Sequence, residues 1–297
     1  MAAPPALETV YVDVPEHAVE AYEAALTTAC KTVGFFLTDE EIRIWRIEGV
    51  KPVGSKDADL HNALILAGAL TGCDLPLRRH AVAADGWLAR TQASFPAQPV
   101  GRRFIVRGTH LKGRVPYGRI GLIVDAGVAF GSGEHGSTRG CLRALETIAH
   151  LRPRRILDLG TGSGILAIGA AKLLHRPVLA SDIDPWSVRV AGENAMINGV
   201  ASLVRPRLAN GWRDAKLIAG APYDLVFGNI LARPLCAMAK HLAAHLAPGG
   251  VAILAGLLGG QIRMVLAAHR PHGLALRAVL LEGNWATLVL QKPSGRG

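Results

Sequence analysis

Cysteine is scarce in this chain and scattered where it occurs. The four cysteines, at 30, 73, 141 and 236, show no C-x-x-C spacing, which excludes a zinc ribbon or a disulfide framework as the organising device. A reducing, cytoplasmic location is the expectation. Aromatics make up only 5% of residues, and no aromatic stretch interleaves with the basic ones. Lysine is also short: of 33 basic residues only 8 are Lys, leaving 33 − 8 = 25 Arg, set as singles and pairs such as Arg78-Arg79, Arg102-Arg103 and Arg154-Arg155. A net charge of +10 with no long basic tract argues against nucleic acid as the primary partner. Met1-Ala2-Ala3-Pro4-Pro5 lacks a basic region followed by an apolar run, so no secretory signal is expected. The uncharged run 241–262 has the length of a membrane span, but Pro248-Gly249-Gly250 breaks it into a helix end, a turn and a short strand.

What is present suits a folded protein of one large or two ordinary domains. Half of the 297 residues are hydrophobic and 19% are charged, which allows a sizeable core. Residues 9–14 alternate apolar and polar side chains and stop at Pro15, as a half-buried strand does. Residues 16–30 place Val19, Tyr22, Ala25 and Leu26 at helical spacing. A hairpin over 33–37 and 41–48, a helix over 59–70 and a strand over 77–83 complete the order of a split βαβ, ferredoxin-like module. This module holds no catalytic constellation, His61 and His80 being isolated, so it reads as a substrate-recognition domain spanning 1–96. A helix at 86–95 ends it, and Pro96 and Pro99 mark a linker.

The second domain, 97–297, is organised around Ile156-Leu157-Asp158-Leu159-Gly160-Thr161-Gly162-Ser163-Gly164, a buried strand running into a glycine turn and a helix. Glycines at alternating positions remove side chains from the turn, which lets its N–H groups and the positive helix end approach a ligand. The spacing is G-x-G-x-G, with Ile165 where a dinucleotide fingerprint has its last glycine. That departure, with the strand-borne Asp158, favours a nucleoside cofactor without a pyrophosphate, and S-adenosylmethionine is the common one. Asp182, at the end of the next strand and about 20 residues on, is placed to accept from both ribose hydroxyls. Asp184, before Pro185, reads as a helix cap.

Upstream, residues 125–138 carry four glycines and lead into a helix with Leu142, Leu145 and Ile148 on one face. Ser137 or Thr138 would start that helix, and Thr138 also lies where it would touch a ligand held by the glycine turn. Residues 223–227 form the fourth strand of the series, and Asn229 follows at its carboxyl end, where open α/β sheets place their sites. Its amide offers both a donor and an acceptor for orienting an amine. A fifth strand over 251–255, a helix over 261–268 and a hairpin of 274–281 with 285–291 complete a doubly wound, Rossmann-like sheet of the class I methyltransferase type.

Six segments resemble one family, the PrmA-type ribosomal protein L11 methyltransferases: AFGSGEHGST (129–138), ILDLGTGSGILAI (156–168), DIDP (182–185), NAMINGV (194–200), NILARPL (229–235) and APGG (247–250). The glycine turn and DIDP are common to many methyltransferases, whereas AFGSGEHGST and NILARPL are specific. Ser132, Gly136-Ser137 and Thr161 depart from the family's usual Thr, Pro-Thr and Cys. The resemblance implies S-adenosylmethionine contacts at Thr138, Gly160, Gly162, Asp182 and Asn229, with Asn229 also positioning the amine. It implies methylation of lysine ε-amines, and of an α-amine, of the ribosomal protein, free or in the ribosome, with no metal. A related enzyme acting on another protein, such as an electron-transfer flavoprotein subunit, and a non-catalytic ribosome-associated binding module remain the alternatives.

Overall fold

The structure is a computed structural model that describes residues 7–30, 32–39, 43–81, 97–109, 111, 113–124 and 136–294. The expected helix at 86–95, the hairpin turn at 40 and most of the 125–138 loop, with Glu134 and His135, lie outside the described residues. Contacts divide the chain into two compact units, Met1–Arg90 and Thr91–Gly297.

The first unit is a four-stranded antiparallel sheet in the order β2-β3-β1-β4, made of β1 (Leu7–Pro15), β2 (Thr32–Asp39), β3 (Ile44–Pro52) and β4 (Arg78–Ala81). With α1 (Val19–Thr27) and α2 (Asp57–Thr71) as connections, this is the split βαβ order that the sequence suggests. The four periodic residues Val19, Tyr22, Ala25 and Leu26 all face the core. On the cross-strand pair Glu8↔Lys51, the buried Lys51 ammonium meets Glu8 at 2.8 Å and Asp57 at 2.7 Å, so a charge inside the module is compensated twice. α2 buries only Leu60 and Ala67, while Ile65, Leu66 and Leu70 are 60%, 60% and 72% exposed.

The second unit begins with a three-stranded sheet of β5 (Gln98–Val100), β6 (Phe104–Arg107) and β7 (Ile120–Ile123). Pro99, expected in a linker, instead lies in β5, whose short antiparallel pairing with β6 tolerates a residue without an N–H. The main sheet has seven strands in the order β10-β9-β8-β11-β12-β14-β13. They are β8 (Ile156–Leu159), β9 (Val178–Asp182), β10 (Val204–Leu208), β11 (Tyr223–Asn229), β12 (Leu246–Leu258), β13 (Ala275–Glu282) and β14 (Trp285–Gln291). The first five run parallel and β14 is antiparallel. β12 is much longer than the expected 251–255, because it starts directly after the helix that precedes it and continues past a bulge near Gly256.

Alternation along the parallel strands separates two cores. Ile156, Leu225, Phe227 and Ile253 face one core, and Leu157, Val226, Ala252 and Leu254 face the other. The first is covered by α3 (Gly136–Ile148) and α4 (Ile165–Leu174), and the second by α7 (Ala232–His245) and α8 (Ile262–His269), with the remaining helices α5 (Pro185–Ile197) and α6 (Ala215–Ala219) along the chain between. Asp158 breaks this rule: it occupies an apolar position of the first core and is fully buried. Among the described residues no helix is long and apolar enough to cross a membrane.

Candidate functional site

Successive strands β8, β9 and β10 step outward, and the chain then returns to place β11 beside β8. The carboxyl ends of β8 and β11 therefore flank the topological switch point, where crevices open in such sheets. Gly160 follows β8 directly, Asp182 is the last residue of β9, and Asn229 is the last residue of β11. Thr138 lies in the first turn of α3, fully buried.

The structure brings these residues together as two pairs, one on either side of β8. The Gly162 N–H donates to Asp182 Oδ2 at 2.9 Å, and the Asp184 N–H donates to Asp182 Oδ1 at 3.0 Å. The Asp182 carboxylate is thus held by two backbone donors before any ligand arrives. On the other side, Asn229 Nδ2 donates to Thr138 Oγ1 at 3.4 Å. Asp184 caps α5, accepting from Trp186 N and Ser187 N, with Pro185 at the first helical position.

Two expectations need correction. The helix of Thr138 begins at Gly136, so Ser137 and Thr138 lie inside its first turn instead of starting it. The glycine turn also does not offer a row of open N–H groups. Those of Gly160 and Thr161 donate to Ser181 O at 2.8 and 2.9 Å, that of Gly164 to Thr161 O, and that of Gly162 to Asp182. Its glycines answer to packing within the protein: with φ +73° at Gly160, an added Cβ would collide with Cγ2 of Ile230. Gly256 flanks Ile230 as well, since a Cβ there would lie 2.5 Å from its carbonyl oxygen. The pair of glycines seats the 229–231 segment against the turn. A turn whose donors are spent internally suits a nucleoside ligand better than a pyrophosphate.

The sequence singles out Asp158 without giving it a role, and gives none to Asn194 or Asn198. Asp158 accepts from Thr161 Oγ1 at 2.6 Å and from Ala167 N at 3.1 Å, both through Oδ2, and its Oδ1 is buried without a partner among the described residues. Burial raises its pKa to about 6, opposed by the Thr161 and Ala167 hydrogen bonds and assisted by the charge of Asp182. Asn194 Nδ2 donates to Ser163 O at 2.8 Å and so fixes the glycine turn from α5. One turn on, Asn198 donates to Ile123 O at 2.6 Å and accepts from Ile123 N at 2.9 Å and from Lys172 Nζ at 2.8 Å. Helix α5 therefore clamps both the turn and the end of β7, which leads toward Thr138. Asn198, Gly199 and Val200 also close the helix, with Gly199 N bonding Met196 O and Val200 N bonding Ala195 O. The N-x-x-x-N-G-V spacing, visible in the chain, was the available signal.

Beside Asp182 a depression of about 280 Å³ is lined by Ile183, Leu208, Ala209, Asn210, Arg213 and Asp214. The apolar Ile183 with the Asn210 amide suits a flat, hydrogen-bonding ring. Among the described residues no group of three or more His, Cys, Asp or Glu could hold a metal ion.

This arrangement agrees with what the chain is similar to. The family model of ribosomal protein L11 methyltransferase (PrmA) matches residues 12–293. The chain belongs to this family. The ribosomal protein L11 methyltransferase of Rhodopseudomonas palustris (strain BisB5) is 40% identical over 282 residues, 91% of this chain and 94% of that protein. The protein of the same name from Bradyrhizobium diazoefficiens is 47% identical over 213 residues, 71% of this chain and 72% of that one. A crystal structure of ribosomal protein L11 methylase from Lactobacillus delbrueckii subsp. bulgaricus superimposes with a TM-score of 0.61 at 28% identity, covering 66% of this chain and 98% of that one. The chain is thus an enzyme with the class I methyltransferase fold, and its family's cofactor is S-adenosylmethionine.

Proposed function

We propose that this enzyme transfers methyl groups from S-adenosylmethionine to lysine ε-amines, and to an N-terminal α-amine, of ribosomal protein L11, free or in the ribosome, in the cytoplasm. The observation that carries the reading is the pairing of Asn229 with Thr138 at the end of β11, with a carboxylate, Asp182, already aligned by Gly162 across β8. The residues present fit the cofactor. Asp182 suits a ribose-hydroxyl acceptor, the Ile183–Asn210 depression an adenine site, and the buried Asp158 Oδ1, without a partner among the described residues, a counter-charge for a cationic ligand. In our reading Thr138, Gly160 and Gly162 complete its contacts.

When bound, S-adenosylmethionine supplies a methyl group on a sulfonium, open to in-line displacement. The chain's task is to present a neutral amine along that line. A lysine near pKa 10.4 is protonated in neutral water, and transfer into a desolvated crevice beside a cation lowers that value. Thr138 engages one of the two N–H groups of the Asn229 amide, and the amide oxygen would accept from the amine and so orient its nitrogen lone pair. Asp182, Thr138, Gly160 and Gly162 would hold the donor while the amine nitrogen takes its methyl group, the neutral thioether leaves, and the amine proton passes to solvent. Asn229 is the positioning group in this scheme, and no general base is invoked.

The N-terminal module, residues 1–96 in our reading, holds the protein substrate; the exposed Ile65, Leu66 and Leu70 on α2 support this. Nucleic acid is not the primary partner. Mass spectrometry of purified ribosomal protein L11 after incubation with enzyme and labelled cofactor tests the assignment: added methyl masses on lysine support it, and an unmodified protein under cofactor-saturating conditions refutes it. Leu66→Ser with Leu70→Ser is expected to raise KM for the protein substrate several-fold while leaving cofactor affinity unchanged.

A further inference from the structure

The amino end of the main sheet carries a second feature, one that methyl transfer leaves unused. A cleft of about 590 Å³ opens there, bordered by Arg154, Arg155, Arg205, Arg207 and Lys216. Ile156, Val178 and Tyr223, the first residues of their strands, contribute to its apolar floor. Ile156, Val178 and Val204 stand side by side in register, so the segments entering β8, β9 and β10 share one rim. No carboxylate lines this cleft.

Its charges are arranged to stay available. Arg207 is the exception, bound to Asp214 through two hydrogen bonds of 2.9 and 2.7 Å. Arg154, Arg155, Arg205 and Lys216 are exposed and have no ion pair among the described residues. A second nearby carboxylate, Asp224, accepts from the backbone N–H groups of Arg154 and Arg155 at 2.8 and 2.9 Å. It fixes the backbone from which both guanidinium groups project and pairs with neither. Arg205 and Pro206 lie on the edge strand β10, where a charge and a proline also discourage strand pairing between molecules. That explanation does not reach Arg154 and Arg155, which precede a central strand, or Lys216 on α6.

We infer that this cleft binds the sugar–phosphate backbone of a single-stranded RNA segment. Exposed cations spaced around an apolar floor match a ligand that alternates phosphates with flat bases, and arginine both pairs with phosphate and stacks on bases. A lone anion is ordinarily met by converging N–H groups or a buried cation, and this rim consists of separate, solvated side chains. The inference rests on the cleft and not on the identity of the methylated protein. It adds an auxiliary RNA contact at the sheet end remote from Asp182 and Asn229.

Fluorescence anisotropy of a labelled, mixed-sequence single-stranded RNA with the full-length protein, at several salt concentrations, tests it. The triple variant Arg154→Gln, Arg155→Gln, Arg205→Gln should weaken binding at least about tenfold and reduce the salt slope by about two. The charge-matched triple Arg263→Gln, Arg270→Gln, Arg277→Gln, at exposed positions elsewhere on the unit, should leave binding within about twofold. Unchanged cofactor affinity shows that the first triple is folded. Equal weakening by both triples, or by neither, overturns the assignment. So does displacement of the RNA by inorganic phosphate at matched phosphate concentration, which would make the cleft a small-anion site. Equal displacement by polyglutamate of matched charge also overturns it, in favour of an acidic protein surface.

Discussion

The two ends of the seven-stranded sheet use polar residues in opposite ways. At the carboxyl end nearly every polar group is already engaged by the protein: Asp182 by Gly162 and Asp184, Asn194 by Ser163, and Asn229 by Thr138. At the amino end Arg154, Arg155 and Arg205 stand in solvent, and the nearby Asp224 holds only the backbone of the first two. Fixed groups lose little entropy on binding and define one geometry, as a reaction needs. Solvated long side chains adapt to a variable partner and contribute chiefly through charge. Substitutions at the first end should therefore disturb stability and cofactor binding together, and those at the second should disturb neither.

Gly160 provides the largest expected effect. Alanine there would have to hold φ near +73° and place its Cβ against Ile230. Strain and overpacking together should cost about 3–4 kcal/mol in urea unfolding. If the collision is the main cause, adding Ile230→Ala should restore part of the loss; a double variant no better than the single would attribute the cost to backbone strain alone.

Asp182→Ala comes next. Two charge-assisted hydrogen bonds to a ribose are worth roughly hundredfold in cofactor affinity, to be read by calorimetry. A change below about threefold would sink its assignment and weaken the contrast between the two ends.

How much of this was visible in the chain differs by the range of the interaction. Helix α4 runs from Ile165 to Leu174 as its apolar pattern indicates, and the β13–β14 hairpin follows its turn residues Glu282-Gly283-Asn284, because both depend on neighbours within a few residues. Asp182 and Asn229 could be placed because strand ends in a doubly wound sheet define where such groups go. Asn194 and Asn198 could not be given roles, since their partners Ser163 and Ile123 lie 31 and 75 residues away. The glycine turn was misread in one respect for the same reason. Its collision partners, Ile230 and Ala191, come from distant segments, so packing constraints looked like ligand clearance. Asp158 could be placed on a buried strand from the sequence, but its partners Thr161 and Ala167 and its raised pKa could not.

Asp158 yields a pH test of that buried end. Its folded pKa of about 6 exceeds the reference value of 3.8, so between these values the folded state binds the proton more tightly than the unfolded chain. This contribution to stability is present at low pH and is lost as pH rises through about 6, opposite in sign to a salt-bridged carboxylate. Asp158→Asn removes the penalty, worth about 3 kcal/mol, and sacrifices about 1 kcal/mol for an unpaired amide donor. A net stabilisation of about 2 kcal/mol should appear above pH ~7 and give way to a net destabilisation of up to about 1 kcal/mol below pH ~4, where only the amide cost is left, measured by urea unfolding without cofactor. A pH-independent difference would show that the carboxylate is paired. With cofactor present the variant should bind more weakly, because a cationic ligand loses its counter-charge.

Asn194→Ala asks how far the clamp on the turn matters. It removes one buried hydrogen bond to Ser163 O, about 1 kcal/mol, or roughly fivefold in cofactor affinity. Affinity unchanged alongside lowered stability would mean that α5 supports the fold without aligning the turn.

At the other end, the Arg154→Gln, Arg155→Gln, Arg205→Gln variant should keep the wild-type cofactor affinity within about twofold, and its unfolding midpoint should move little, since exposed charges without partners contribute little to stability. Removing three like charges from one rim also relieves mutual repulsion, so any shift should be toward greater stability and should shrink as salt is added. A marked loss of cofactor affinity in this variant with its unfolding midpoint unchanged would mean that the two ends are coupled through β8 and β9. The solvated arginines would then belong to the same machinery as Asp182, and the division of labour argued from their hydrogen bonding would fail.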